Sequence, residues 1–436
     1  MEKSYLARLF KKSVSLLGYG KSNEAVFDYL SKNGIVPIIR NEREIPLPNG
    51  AHGIFDKDYD AACEDVVFRS PGVRGTRIKE GAEVFTDVSF FLERLKAFKI
   101  GITGSDGKTT TTVLIHKILE KDEKRSHLVG NIGIPIASVV DDVLSGDFLV
   151  AELSSFQLFD YEPNLDIAVV TSISENHLDW HKSFSEYVCA KRNIVKNARK
   201  RVIYYDMPYR DSFTFENTTF FSLNDCSPYL DSSCSFVYLK DGFVFYNEKR
   251  LFKADVVKLR GNHGLLNAMA AVASLYGLVS LDSVASVLST YEGERHRAEH
   301  VATINGIKFI NSSVDSTPTR TKTTLSSFPL DKTVVILGGY DKNLDYTPLK
   351  DIANEILAAV VFGSNREKIV RALTGACRVI LVNDINEATK TAYYESAKNG
   401  YVILSPASAS FDMFENYKDR AEKFIDAVRG LKNGEN

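Results

Sequence analysis

Residues 99–112 read KIGITGSDGKTTTT. An apolar run ends at Thr103, Gly104 to Gly107 make a tight loop, and Lys108 and Thr109 open a helical segment. Successive backbone N–H groups and a helix N-terminus form a cradle for anionic phosphate. Gly104, Ser105, Asp106, Gly107, Lys108, Thr109 and Thr110 are therefore the expected nucleotide-binding residues. Lys108 would reach the outer phosphates and the Thr109 hydroxyl would face a magnesium ion. The general pattern GxxxxGK[ST] would place glycine at position 102, which is Ile102, so this loop departs from it by one residue.

Working outward, the strand FLVA ends in Glu152, an acid placed to hold a metal opposite the loop hydroxyl. Next, the run DIAVVTSI leads into Glu175, Asn176, His177 and Asp179, at the carboxyl ends of parallel strands where ligands bind. A capping box, Ser183-Phe184-Ser185-Glu186, then starts a helix whose apolar stripe (Phe184, Val188, Ile194, Val195, Ala198) includes Lys191. Each has a plainer reading. Acids after strands are commonly surface decoration, lone histidines are commonly packed or exposed, and a lysine on such a stripe usually buries its stem and keeps its ammonium in water.

The whole chain carries the same texture. Short apolar runs (SVSLLG, IVPIIR, FLVAEL, TVVILGG, AAVVFG, RVILVN, YVILSP) alternate with helical-period segments. This predicts an α/β protein with helix-covered parallel sheets. Residues 201–259 differ, with VIYY, TTFFSL, SFVYL and GFVFY separated by turn residues, and read as a small antiparallel insert. At 436 residues the chain exceeds one core. Three domains are expected, at 1–96, 97–293 and 294–436. The first carries GYGKSN (18–23), a dinucleotide fingerprint with its third glycine lost, followed by Arg40-Asn41 where a ribose-binding acid would stand. It is a poor NAD site, which argues against a dehydrogenase.

A net charge of -2 gives no field for nucleic acid. No apolar stretch is long enough for a membrane span or a signal peptide. The five cysteines, Cys63, Cys189, Cys226, Cys234 and Cys377, are scattered and odd in number, as in a reducing compartment. A cytoplasmic monomer is the expectation.

ITGSDGKTTTT (102–112), GNIG (130–133), ELSSFQL (152–158), TSISENHLDWH (171–181), NHGLLNAMAA (262–271) and GERHRAE (293–299) resemble, in order and spacing, the Mur ligases. GYGKS (18–22), SPGV (70–73), LGGYDKN (337–343) and LSPASASFDMFENY (404–417) extend the resemblance to both ends and fit the branch that adds D-glutamate. The resemblance implies an N-terminal Rossmann-like domain for a UDP-sugar, a central P-loop-type ATPase domain and a C-terminal Rossmann-like domain for the amino acid. It implies ATP as co-substrate, two magnesium ions, and UDP-N-acetylmuramoyl-L-alanine and D-glutamate as substrates. Thr109 and Glu152 would hold one magnesium, and His177 and a carbamylated Lys191 the other. Catalysis would rest on Lys108, His177 and Lys191.

Asn267 and Arg297 would contact ATP, with His263 nearby. Lys21, Ser22 and Asn41 would line the uridine pocket, and Asn131, Ser154, Ser155 and Gln157 the sugar and ATPase sites. Lys342, Ser410, Phe411 and Tyr417 would bind or cover D-glutamate. Departures are Asp106 and Gly264, each where asparagine is usual, and INSSVDSTPTRT (310–321), where Ser312 replaces an acid and Val314 a lysine. The rivals are a Mur-type or folylpolyglutamate-type ligase for another amino acid, and a P-loop switch that hydrolyses ATP without ligation.

Overall fold

In a computed structural model, residues 3–74, 77–178, 180–225 and 234–433 are described. Asp179 and Cys226 therefore lie outside the described residues. The strands fall into three sheets. The first is all parallel, in the order β3-β2-β1-β4-β5, with β1 Val14–Leu17, β2 Ile38–Asn41, β3 His52–Phe55, β4 Val66–Arg69 and β5 Glu83–Phe85.

The second sheet runs β14-β13-β12-β11-β10-β9-β6-β8-β7. Its strands are β6 Phe98–Thr103, β7 Ser126–Gly130, β8 Phe148–Glu152, β9 Asn164–Val170, β10 Asn197–Tyr204, β11 Thr218–Ser222, β12 Ser235–Lys240, β13 Phe243–Tyr246 and β14 Lys249–Lys253. From β7 through β12 the pairing is parallel. Only β12-β13-β14 is antiparallel, so the expected insert is confined to its last part. VIYY and TTFFS instead extend the parallel sheet. The reason is the connection: residues 205–217, with a short helix at Arg210–Phe213, are long enough for a crossover, whereas β12 to β13 turns over Asp241 and Gly242.

The third sheet, β15-β16-β20-β17-β18-β19, comprises β15 Glu299–Ile304, β16 Ile307–Asn311, β17 Thr333–Gly338, β18 Ala358–Phe362, β19 Arg378–Leu381 and β20 Tyr401–Leu404. All its pairs are parallel except β15-β16.

The chain divides into two compact units, residues 1–258 with 263–291, and 259–262 with 292–436. In the first, one continuous core joins the first two sheets. Ile100, Ile102, Leu149, Val150, Val169 and Val170 in the middle of the second sheet are fully buried, each contributing about 1.5–3 kcal/mol. Burial on both faces is why these strands read as unbroken apolar runs. The chain leaves β6 for the edge strand β7, returns to β8, and crosses to β9 on the other side of β6. The carboxyl end of β6 is thus a topological switch point, where open α/β sheets bind ligands.

Candidate active site

At that switch point the loop sequence dictates its own geometry. Gly104 has φ +148° and a β-carbon there would lie 2.0 Å from the Thr171 hydroxyl oxygen. Gly107, at φ +80°, precedes the helix Lys108–Lys121, and a β-carbon there would lie 2.3 Å from Asn267 Oδ1. Only glycine fits either position. The Ser105 hydroxyl accepts from Ser174 N (2.8 Å) and lies 2.8 Å from the Tyr187 hydroxyl, while Asp106 N donates to Ser172 Oγ (2.9 Å). The segment after β9 therefore braces the loop. Lys108 Nζ lies back along the loop, donating to the carbonyls of Gly104 (2.8 Å) and Ser105 (2.9 Å). Asn267 closes the other side, its Oδ1 3.4 Å from Thr111 Oγ1.

Glu152 ends β8, about 1% exposed, and collects two donors. Thr109 Oγ1 donates to Oε2 at 2.8 Å and Asn131 Nδ2 to Oε1 at 2.7 Å. The acid expected from sequence thus meets the loop hydroxyl directly. A carboxylate and a hydroxyl beside a phosphate cradle fit a corner of a magnesium site, which takes one or two protein oxygens and completes its shell with phosphate and water. No cluster of three or more His, Cys, Asp or Glu side chains suited to a metal occurs among the described residues. His177 is exposed on the loop after β9, at φ +55°, with its ring against Phe156.

Lys191 does not snorkel. Its helix, Phe184–Lys196, starts at Ser183, whose hydroxyl accepts from Glu186 N, and aims the ammonium inward. That ammonium is buried, donating to Gly104 O (2.8 Å) and Thr103 Oγ1 (3.2 Å) over the Tyr187 ring. Burial first, and then the Lys108 charge, hold its pKa well below the ordinary lysine value.

Other expectations resolve differently. Ser154 and Gln157 bond each other: Gln157 Oε1 accepts from Ser154 N (2.9 Å) and Oγ (3.0 Å). Asn41 Oδ1 accepts from Tyr19 N (3.2 Å), fixing the turn before Lys21 and Ser22, which open the helix Lys21–Lys32. Its neighbour Arg40 is buried in a two-point pair with Glu64 (3.0 and 2.9 Å), a core contact rather than a ribose contact. Sequence reading missed Tyr187, four residues before Lys191 on the same stripe. It also missed His181, a buried ring whose Nε2 lies 2.9 Å from Ser155 Oγ. Burial lowers the His181 pKa, with Glu186 opposing, so the ring is neutral near pH 7.

In the second unit, Lys342, Ser410, Phe411 and Tyr417 follow the carboxyl ends of β17 and β20. Lys342 Nζ lies 5.9 Å from the Phe411 ring centre, and Phe411 is 62% exposed while Ser410 is buried. Arg420, fully buried, ties the surrounding loops by donating to Ser313 O (2.8 Å), Ser408 O (3.0 Å) and Ala409 O (3.1 Å). In the altered 310–321 loop, Ser312 Oγ accepts from Ala298 N (3.2 Å). The acid of this loop is Asp315, whose Oδ2 accepts from Thr324 (2.7 Å) and Ser405 (2.8 Å), while its Oδ1 lies 4.0 Å from Arg320 Nε. Arg297 follows His296, a buried residue at φ +65° held by Asn311 at 3.0 Å.

A glycine loop, a helix N-terminus and a hydroxyl–carboxylate pair at a sheet's switch point define a P-loop-type enzyme that handles nucleotide phosphates. Residues 102–275 match the Mur ligase middle domain. The chain is 34% identical to the UDP-N-acetylmuramoylalanine--D-glutamate ligase of Ruminiclostridium cellulolyticum, covering 97% of each chain. It is also 34% identical to the same-named enzyme of Acetivibrio thermocellus, covering 98% of each. Among solved structures it resembles the UDP-N-acetylmuramate-alanine ligase MurC of Thermotoga maritima, with a TM-score of 0.61 at 18% identity, covering 96% of this chain and 100% of that one. MurF ligase of Thermotoga maritima, solved with ADP, gives a TM-score of 0.59 at 16% identity, covering 96% and 95%. The chain belongs to the family of UDP-N-acetylmuramoylalanine--D-glutamate ligases, and is an ATP-dependent ligase.

Proposed function

We propose that the chain joins D-glutamate to the alanyl carboxylate of UDP-N-acetylmuramoyl-L-alanine, with ATP supplying the leaving group, as a monomer in the cytoplasm. The observation that carries this reading is likeness over nearly the full length to enzymes so named, supported by the meeting of the Thr109 hydroxyl with the Glu152 carboxylate beside the glycine loop. No helix among the described residues is long and apolar enough to cross a membrane. We assign residues 1–96, 97–293 and 294–436 to the UDP-sugar, ATP and amino-acid domains.

A carboxylate resists attack by an amine because its leaving group would be oxide. Transfer of the γ-phosphoryl group makes an acyl phosphate, the amine of D-glutamate adds to its carbonyl, and the tetrahedral adduct expels phosphate. Lys108 leaves its resting contacts on the Gly104 and Ser105 carbonyls to neutralise the transferring group. Magnesium, held by Thr109 and Glu152 and a second time by His177 and Lys191, would supply electrostatic stabilisation of that group.

Lys191 acts as a carbamate, an anion that can approach magnesium. Its depressed pKa supplies the neutral amine that adds carbon dioxide, the nitrogen losing one proton as the carbamate forms. Gly104, Ser105, Asp106, Gly107, Thr110, Asn267 and Arg297 bind ATP. Lys21, Ser22, Asn131, Ser154 and Gln157 serve the UDP-sugar, and Lys342, Ser410, Phe411 and Tyr417 the amino acid. Asp315 with Arg320 stands in for the acid and cation lacking at Ser312 and Val314.

The test is phosphate release from ATP and magnesium with UDP-N-acetylmuramoyl-L-alanine, adding D-glutamate, L-glutamate, L-lysine or meso-diaminopimelate separately. Release dependent on D-glutamate is expected. Dependence on another amino acid would move the substrate, and turnover indifferent to both substrates would overturn ligation.

A further inference from the structure

The loop after β4, Ser70–Arg74, faces two ways. On one side it forms a wall of the Gly18–Gly20 turn: a β-carbon on Gly18 would lie 2.8 Å from the Val73 side chain, and Ser70 N donates to Leu17 O at 2.8 Å. On the other it grips the central ATPase segment. Arg69 Nη2 reaches Asp160 at 2.8 Å, while Arg74 Nη2 meets both oxygens of Glu186, at 2.7 and 2.9 Å. The Arg74 guanidinium lies over the rings of Phe159 (5.1 Å) and Trp180 (4.8 Å), and also donates to Trp180 O. Trp180 Nε1 donates back to Gly72 O at 3.1 Å.

These partners sit on the chemical segment itself. Trp180 lies three residues beyond His177, with its ring 4.7 Å from Phe156, which also packs on His177. Glu186 accepts from Lys182 N at 2.8 Å at the start of the helix bearing Tyr187 and Lys191. A planar cation with one nitrogen on both carboxylate oxygens, the other on a backbone carbonyl, and its face over two rings is fixed in orientation as well as distance. The Arg74 hydrogen bonds and ring contacts fall on Glu186, Phe159 and Trp180, so its effect on the phosphate loop passes through these neighbours.

We propose that Arg74 is a positioning residue for ligation, latching the Ser70–Arg74 loop of the sugar-nucleotide domain to the segment 177–191 so that a seated substrate and the Lys108–Lys191 centre share one frame. The inference rests on the ligase reading above. Removing the latch leaves the phosphate loop intact and loosens the substrate carboxylate relative to it. A displacement of about 1 Å costs on the order of a hundredfold in rate.

The experiment measures turnover, KM for ATP and KM for UDP-N-acetylmuramoyl-L-alanine for full-length wild type, Arg74→Ala, Arg74→Lys, Arg74→Glu and Arg74→Glu with Glu186→Arg. Far-UV circular dichroism monitors folding. Trp180, the one tryptophan in the chain, reports the latch by its emission. Arg74→Ala is expected to lower kcat roughly 10- to 100-fold with KM for ATP within about twofold. Its emission should shift to the red, Arg74→Lys should fall between, and the charge swap should recover about tenfold over Arg74→Glu.

Folded Arg74→Ala with wild-type kcat, or a folded charge swap with no recovery, overturns the proposal. If Arg74→Ala does not fold, the lysine variant and the swap decide by the same criteria. If wild type shows no D-glutamate-dependent turnover, the ligase reading fails, and unchanged Trp180 emission in Arg74→Ala then sinks the latch on its own.

Discussion

Replacing Thr109 with valine removes one hydroxyl and preserves shape and branching. Glu152, buried at the end of β8, would keep Asn131 on Oε1 and lose its 2.8 Å donor on Oε2. Withdrawing a hydrogen bond from a buried charged acceptor costs about 1.5–3 kcal/mol. At roughly 2–4 °C per kcal/mol for a unit of this size, the midpoint of thermal unfolding should fall by roughly 3–12 °C. Thr109→Ser restores the donor and should restore most of the stability. Turnover should fall more than stability suggests, at least about a hundredfold, because the same oxygen is assigned to magnesium. Thermal and urea unfolding, with phosphate release under saturating ATP, measure both effects. A Thr109→Val protein within about 0.5 kcal/mol of wild type and fully active would refute the coupling of loop hydroxyl to strand carboxylate.

Gly107→Ala forces a side chain into φ +80° and against Asn267; the backbone alone costs about 1–2 kcal/mol, and ADP affinity by calorimetry should drop at least tenfold. Gly146→Ala, at φ +99° in open space, is the control that carries strain without the collision and should leave ADP affinity unchanged. Lys191→Met should abolish turnover without loss of stability at pH 7. In buffer free of carbon dioxide, where Lys191 is the unmodified amine, its depressed pKa means the native state binds fewer protons than the unfolded one, so stability rises with pH up to the ordinary value of 10.5; the methionine variant should lose that rise in denaturation series. Arg40→Met should cost about 3–5 kcal/mol by stranding Glu64, and adding Glu64→Leu should recover much of it. Burial raises the Glu64 pKa but the Arg40 contact prevails and lowers it, so this contribution is present above the ordinary glutamate range and fades as pH falls through the folded value.

The phosphate loop was legible because the positive φ at Gly104 and Gly107 demands glycine, and the lysine and threonine that follow are the residue types phosphate chemistry calls for at a helix start. The acid at Glu152 was legible because strand ends in parallel sheets converge. Lys191 was half legible: its stripe position and the neighbouring Tyr187 were readable, but burial of the ammonium depends on Thr103 and Gly104 at the end of β6, far away in sequence. The extent of the antiparallel part was misread because strand direction is set by the connecting chain, and the turn residues between Tyr204 and Thr218 resemble those of a hairpin. Arg40 and Arg74 were opaque for the same reason. Their partners, Glu64 and Glu186, are distant in sequence, and nothing in an arginine's neighbours says where its guanidinium will lie.

The turn-back at β12-β13-β14 settles how the large sheet stops. A parallel sheet of buried valine and isoleucine strands presents, while incomplete, a row of open amides that would template another chain. Here the last strand reads KRLFK, and Lys249, Arg250 and Lys253 place three like charges along the outer rim. A second molecule approaching that rim edge to edge would set cation against cation. The rim that another strand would have to pair with is thus lined with positive charge, a property of the sheet's edge that no step of the ligation requires.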